Sequence, residues 1–171
     1  MKQQTTMLVT GGDPAEIFSP VPSEESFEDS DFIDAAEVEA IGAALIKHRA
    51  GLEYLREHPI EYLWQRKGGS SRGKPVLARC RRPKGLLAMY CDAHFIVTAS
   101  ADHLTKARLT RYQMEALIYH ELCHTNVDVE KGPCLVPHDF EGFNAEVTIY
   151  GAWYPDLEKA ALAFKQLSFA L

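Results

Sequence analysis

The segment ALIYHELCHTNVD, residues 116 to 128, constrains this chain more than any other stretch of its 171 residues. Clear helix-start signals precede it. Thr110 and Gln113 match a capping box, in which the threonine oxygen accepts the N3 amide and the glutamine reaches back to the cap amide. Leu109 and Met114 occupy the two positions of a hydrophobic staple. The pattern predicts a helix that begins at Thr110 and frays near residues 126 to 128, before a Gly-Pro pair stops it.

Two histidines on this helix have the spacing of metal ligands. His120 and His124 lie one turn apart on the same face, so their imidazoles can converge on one ion. Glu121 is offset by about 100° and leans alongside, where it can hold and deprotonate a metal-bound water. If the histidines served packing alone, each unpartnered buried imidazole would cost about 1 to 3 kcal/mol. The H-E-x-x-H spacing therefore predicts a zinc site with Glu121 as general base.

A catalytic zinc site uses three protein ligands, so a third must come from elsewhere in the chain. The downstream candidates are Glu130, Glu141, Glu146 and His138. Glu130 has the spacing of one known pattern, but that pattern needs a glycine where Val127 stands. Glu141 and Glu146 lie on a later predicted helix. Imidazole is the commonest zinc ligand at sites without thiolates, which favours His138 over the carboxylates.

The segments AxxYHELCH and PHDFEGFNAEVTIYG together resemble the phage metallopeptidase domain family, over about residues 36 to 151. There is also a more distant likeness to SprT-like zincins, from which Asp139 departs because their pattern has glycine at that position. The resemblance implies metal ligands at His120, His124 and His138 and a general base at Glu121. It implies nothing about the substrate.

Length and composition favour one soluble globular domain in a reducing compartment. No apolar run approaches the roughly 20 residues that span a bilayer, and the N-terminus lacks the apolar core of a secretory signal. The four cysteines form no C-x-x-C pair and are expected to be free thiols. We expect a cytoplasmic protein, in the host cell cytoplasm if it is phage-encoded, with no membrane partner.

Charge is unevenly distributed along the chain. Residues 1 to 30 are acidic, lack apolar periodicity and are predicted to form a flexible tail before a domain over residues 31 to 171. Residues 65 to 84 carry eight basic residues and no acid. This basic segment is a candidate surface for nucleic acid or an acidic partner, although a solvated loop and strand edge would look the same. Its basic residues are Arg66, Lys67, Arg72, Lys74, Arg79, Arg81, Arg82 and Lys84.

Apolar periodicity predicts the remaining elements. A long amphipathic helix is expected from about Ile33 to Leu55, then a short helical or extended piece over residues 60 to 64. Strands are predicted over residues 75 to 81 and 94 to 100, with a third over residues 86 to 90. Two helices should follow the active-site helix, one carrying Phe143 and Tyr150 and the last over residues 157 to 171.

These patterns predict an α+β fold: a small zincin-like metallopeptidase with an N-terminal helix, a short mixed sheet, the active-site helix and C-terminal helices. The predicted function is zinc-dependent hydrolysis of peptide bonds in a protein or peptide substrate, by a phage- or prophage-encoded enzyme. The alternative is a zincin-fold binding protein with structural zinc, which contacts a host protein or nucleic acid through the basic segment. A further hypothesis is that the acidic tail folds onto the basic segment as an inhibitor.

Overall fold

The computed structural model describes residues 8–138, 143–155, 157, 158 and 162. The described helices are α1 (Ala36–His48), α2 (Leu87–Tyr90), α3 (Ala101–Ala107), α4 (Arg111–Cys123) and α5 (Asn144–Tyr150), with 3₁₀ turns at Glu24–Phe27 and Glu53–Glu57. The described strands are β1 (Phe32–Asp34), β2 (Ile60–Gln65), β3 (Ser70–Ser71), β4 (Lys74–Pro75), β5 (Ala78–Arg81), β6 (Phe95–Ser100), β7 (Thr125–Asp128) and β8 (Gly132–Leu135). The predicted α+β class is confirmed.

The central sheet has four strands in the order β1-β2-β6-β5. The pairs β1 with β2 and β6 with β5 are antiparallel, whereas β2 and β6 run parallel. Every residue of β6 is buried, as expected for a central strand that is covered on both faces. At the edge, β5 buries Ala78 and Cys80 and exposes Arg79 and Arg81. Its outer edge faces α4, the helix that carries His120 and Glu121.

The core lies between this sheet and the two longest described helices. Helix α1 packs against β2 and against α4, and α4 packs against β5. The α1 face turned inward carries Val38, Ile41 and Leu45, and α4 contributes Met114 and Ile118. Because α4 is buried along most of its length, its polar residues must be paired within the protein.

The N-terminal segment from Leu8 onward packs against the domain. Phe27 is 1% exposed and Phe18 is 9% exposed, and both belong to the core. The backbone oxygens of Glu16 and Pro14 accept hydrogen bonds from the first amides of α4, at 2.7 and 3.3 Å. These amides have no partner inside a helix, so the segment completes the start of α4. Flexibility of residues 1 to 30 in solution stays a prediction, but the packing of Phe18 and Phe27 in the hydrophobic core was not expected.

Several predicted boundaries are wrong. The helix expected over residues 33 to 55 is confined to α1 and followed by a 3₁₀ turn, because Gly51 (φ +91°) interrupts it. Residues 60 to 65 form a strand, which resolves the alternatives left open there. Residues 87 to 90 form a short exposed helix instead of a strand. The last predicted helix lies largely outside the described residues, and within the described part no helix is long and apolar enough to span a membrane.

Candidate metal centre

The start of α4 is as predicted. Thr110 is the N-cap, its side chain accepts a hydrogen bond from the Gln113 amide at 3.2 Å, and the Gln113 side chain accepts one from the Thr110 amide at 3.0 Å. Leu109 and Met114, the staple pair, are both buried. This start fixes the rotation of the helix, and with it the face that carries the histidines.

The end of α4 differs from the prediction. The helix stops at Cys123, and the chain enters the hairpin of β7 and β8 instead of fraying over residues 126 to 128. His124 is the C-cap and keeps helical angles (φ −71°, ψ −17°), so its spacing from His120 is preserved. The hairpin returns the chain to the helix end, where the Val136 amide donates to the His124 carbonyl at 2.8 Å. His138 follows two residues later, which explains how it reaches the helical pair.

The three predicted histidines come together in space. His120, His124 and His138 each offer a ligand atom, and these atoms all lie within 4.8 Å of one another. The Nε2 atoms of His120 and His138 are 3.0 Å apart. Ring centroids are separated by 5.2 Å for His120 and His124, 4.8 Å for His120 and His138, and 4.5 Å for His124 and His138. Within the described part of the chain, this is the one cluster of three such groups arranged to bind a metal.

The second nitrogen of each helical histidine already has a partner in the protein. His120 Nδ1 lies 2.7 Å from Glu146 Oε2, and His124 Nδ1 lies 2.9 Å from the Val136 carbonyl oxygen. In the tautomer in which Nδ1 donates its proton to this oxygen, Nε2 keeps a lone pair that can bind an ion. Metal-binding histidines are held in this way in other proteins.

Glu146 is a hydrogen-bond partner of His120 in this arrangement. Its carboxylate is 1% exposed and also accepts hydrogen bonds from the Phe143 amide at 3.2 Å and the Trp153 indole at 2.5 Å. From the sequence, Glu146 was only a candidate metal ligand, because no short-range sequence pattern indicates which histidine a distant carboxylate will contact. Of the other candidates, Glu130 is exposed in the β7–β8 turn, and Glu141 lies outside the described residues.

The contact between His120 and Glu146 shifts the pKa of both side chains. Burial opposes the charged form of His120, but the hydrogen bond with Glu146 and the nearby carboxylates outweigh it and raise the pKa of His120. Burial likewise opposes ionisation of Glu146, but His120, Trp153 and the Phe143 amide together lower its pKa. The pKa of His124 is lowered, chiefly by burial. A neutral His124 is the form that binds a metal.

An aromatic ring supports the cluster from one side. The Phe143 ring centroid lies 5.2 Å from that of His120, 4.8 Å from that of His124 and 5.2 Å from that of His138. Phe143 is itself buried, and it is the N-cap of α5. The Phe143 ring therefore packs against all three imidazoles.

Glu121, the predicted base, lies between α4 and the edge strand. It is 5% exposed, and its Oε2 accepts a hydrogen bond from the Cys80 amide at 2.6 Å. Burial raises the pKa of Glu121, against the opposing effects of His120, the Cys80 amide and Arg79. A carboxylate whose pKa is raised and whose position is fixed is suited to accepting a proton near neutral pH.

A cleft of about 590 Å³ opens over these groups. One wall is the β3–β4 hairpin and the start of β5, and the other includes Trp153, Tyr154 and Leu157. His94 and His103 do not line this cleft: His94 Nδ1 lies 2.7 Å from His58 Nδ1, and His103 Nδ1 lies 2.9 Å from the Val76 carbonyl oxygen.

The basic side chains of residues 65 to 84 lie in three different parts of the structure. Arg66 contacts the N-terminal segment through Glu24 at 3.5 Å and the Glu28 carbonyl oxygen at 3.2 Å. Arg72 and Lys74 line the cleft. Arg79 and Arg81 lie on the exposed face of β5. No described residue of the N-terminal segment lines the cleft, so the described structure gives no contact through which this segment would block it.

The chain matches a known protein family. The family model described as "Putative phage metallopeptidase" matches residues 30–165, most of the chain. No curated protein and no solved structure matches the chain. The matched range contains α4, the three histidines, Glu121 and Glu146. On the extent of this match, the chain belongs to the phage metallopeptidase family.

Proposed function

We propose that this protein is a zinc-dependent peptidase in which His120, His124 and His138 hold the ion and Glu121 is the general base. The observation that carries the proposal is the pairing of both helical Nδ1 atoms with protein oxygens, while the ligand atoms of all three histidines converge within 4.8 Å. Three imidazoles without a thiolate suit zinc, and three protein ligands leave one position open for chemistry.

Zinc held by these residues would supply a Lewis acid, which lowers the pKa of water to about 7 and polarises a carbonyl. The chain itself provides the proton transfers. The Cys80 amide donates to Glu121 Oε2 and positions this carboxylate, which takes the proton from water. The carboxylate then returns the proton to the amine nitrogen that leaves when the C–N bond breaks. The Cys80 amide thereby fixes the angle at which Glu121 meets the substrate.

The cleft is also suited to a polypeptide substrate. It runs beside Val76, Leu77 and Ala78, which lead into β5, the edge strand of the sheet. An extended peptide can lie along such an edge and make backbone hydrogen bonds that do not depend on its sequence. Substrates would therefore bind as extended segments in the cleft, alongside residues 76 to 78.

Replacement of Glu121 by Gln tests this function. The variant should keep about one zinc per chain and lose at least about 100-fold in peptide cleavage, since general-base catalysis is worth about that much or more. Glu130→Gln, in the exposed β7–β8 turn, is the matched control and should cleave normally. Wild-type protein purified without chelators that contains no zinc, or a Glu121→Gln variant with full activity, would contradict the proposal.

One observation favours a second function. Arg79 and Arg81 project from the exposed face of β5, and exposed Arg82 follows them. In this alternative the zinc is structural, and the chain binds a host protein or nucleic acid through these arginines. Changing the three arginines to serine would then abolish function while Glu121→Gln leaves it intact. Steep salt dependence of binding would indicate nucleic acid as the partner.

A further inference from the structure

The β3–β4 hairpin presents a basic side chain at the cleft. Its two strands are joined by Arg72 and Gly73, whose φ angles are +50° and +78°. Positive φ at both central residues is typical of a two-residue type I′ turn, the tightest hairpin connection. Arg72 is therefore held in a defined turn at the hairpin tip.

The stem of this hairpin is fastened to the start of α3. The Val76 carbonyl oxygen accepts hydrogen bonds from Ser100 Oγ at 2.7 Å and His103 Nδ1 at 2.9 Å. The Gly68 amide donates to Asp102 Oδ1 at 2.8 Å. A Cβ on Gly68 would lie 2.4 Å from His103 Nδ1, so only glycine fits there. These contacts make the hairpin a fixed wall of the cleft.

The described cationic and anionic side chains of the cleft lie on different elements. Arg72 is at the tip of the hairpin, whereas the two carboxylates, Glu121 and Glu146, lie on α4 and α5. These carboxylates already accept hydrogen bonds from the Cys80 amide and from His120. Their contacts are thus to groups other than Arg72, so the hairpin tip attracts a negatively charged group.

The opposite wall is aromatic and apolar. Trp153, Tyr154 and Leu157 line it, and the Trp153 indole is held by Glu146 Oε1 at 2.5 Å. A ligand that fits both walls carries an acidic group toward the hairpin and apolar groups toward the aromatic side.

We propose that Arg72 is a specificity-determining residue, which selects polypeptide substrates with an aspartate or glutamate close to the bond that is cut. The inference rests on the proposed peptidase function and names the substrate class of the same cleft. Arg72 contacts the acidic side chain of the substrate at the hairpin wall of the cleft. Arg72 takes no part in the proton transfers, which Glu121 performs. An exposed or half-exposed ion pair of this kind changes binding by up to about fivefold.

The test uses the zinc-loaded full chain and a peptide library from a denatured bacterial proteome, with cut sites read by mass spectrometry. Asp and Glu should be enriched within three positions of the cut for the wild type. In Arg72→Asn the enrichment should fall by up to about fivefold. Asparagine followed by glycine is a favoured type I′ pair, so this variant keeps the hairpin. Lys106→Glu, on the exposed face of α3, is the control and should cut like the wild type.

The outcomes separate the two proposals. Many cuts with no acidic preference, or an unchanged preference in Arg72→Asn, would overturn the inference and leave the peptidase function standing. No cuts by the wild type would overturn the peptidase function and the inference with it. In parallel, the binding affinities of a fluorescent single-stranded oligonucleotide and of an acidic peptide are measured for the wild type and for Arg72→Asn. If Arg72→Asn weakens only the oligonucleotide, the ligand is nucleic acid and the inference is wrong.

Discussion

Replacement of Glu115 by Ala should destabilise the protein severely. Glu115 lies on α4, on the side away from the cleft, and its side chain is 1% exposed. It accepts hydrogen bonds from the amides of Val9 and Thr10, each at 3.3 Å, from Thr10 Oγ1 at 3.1 Å and from Tyr150 Oη at 2.9 Å, and it pairs with Arg49 at 3.1 Å. One carboxylate thus joins the N-terminal segment, α1, α4 and α5.

The size of the destabilisation follows from the buried groups that lose their partner in Glu115→Ala. Removing one member of a buried ion pair costs about 3 to 5 kcal/mol, because the other charge stays buried without its partner. The Arg49 side chain is 16% exposed, so water recovers part of that cost. The buried Tyr150 hydroxyl adds about 1 to 3 kcal/mol if it stays unpaired. The two long amide contacts add little, since that segment can move toward water. We expect a total of about 4 kcal/mol.

Urea denaturation at 25 °C measures this difference. Thr10→Val removes one hydroxyl from the same network and should cost about 1 kcal/mol. Glu130→Ala, at an exposed turn, should stay within about 0.5 kcal/mol of the wild type. A Glu115→Ala variant that loses less than about 1 kcal/mol, with an unchanged denaturant slope, would refute the reasoning.

Three further changes test other parts of the structure. Glu146→Gln should weaken zinc binding by about 10- to 100-fold in a chelator competition, because its new amide would face hydrogen-bond donors; unchanged affinity would argue against its role. Burial, with the charge of a nearby carboxylate, raises the pKa of the Cys80 thiol to about 12. Since alkylation needs the thiolate, Cys80 should resist iodoacetamide at pH 8 until the protein is unfolded; rapid native labelling would contradict this. Gly42→Ala would place a Cβ 2.2 Å from Tyr62 Oη and should cost about 1 to 3 kcal/mol by urea denaturation. Gly69→Ala, which meets nothing within 4 Å, should cost much less, and equal losses would be inconsistent with this packing.

The features predicted well from sequence are those set by short-range contacts. The capping box at Thr110 joins residues three apart, and the spacing of His120 and His124 is a property of one helical turn. His138 was favoured by its chemistry and by the family resemblance. The structure adds the reason it reaches the pair, which is the β7–β8 hairpin. That hairpin was missed because an apolar helix pattern runs up to it with no proline or glycine at the boundary.

The features that were not predicted depend on contacts distant in sequence. Phe18 and Phe27 show no periodicity, yet single aromatic residues anchor the N-terminal segment to the core. Glu146 contacts His120 from 26 residues away, and the amino-acid spacing gives no sign of it. The apolar run at residues 86 to 90 indicated a strand, but it forms an exposed helical turn, because an apolar run alone does not specify burial.

The most direct measurement of the central claim is the metal content of the purified full chain, measured by mass spectrometry for the wild type, Glu121→Gln and His138→Ala. The account predicts about one zinc per chain in the wild type and in Glu121→Gln, because neither the ligands nor their partners change. His138→Ala should lose most of its zinc under the same buffer conditions. Equal zinc in His138→Ala and the wild type, or no zinc in any of the three proteins, would contradict the three-histidine site.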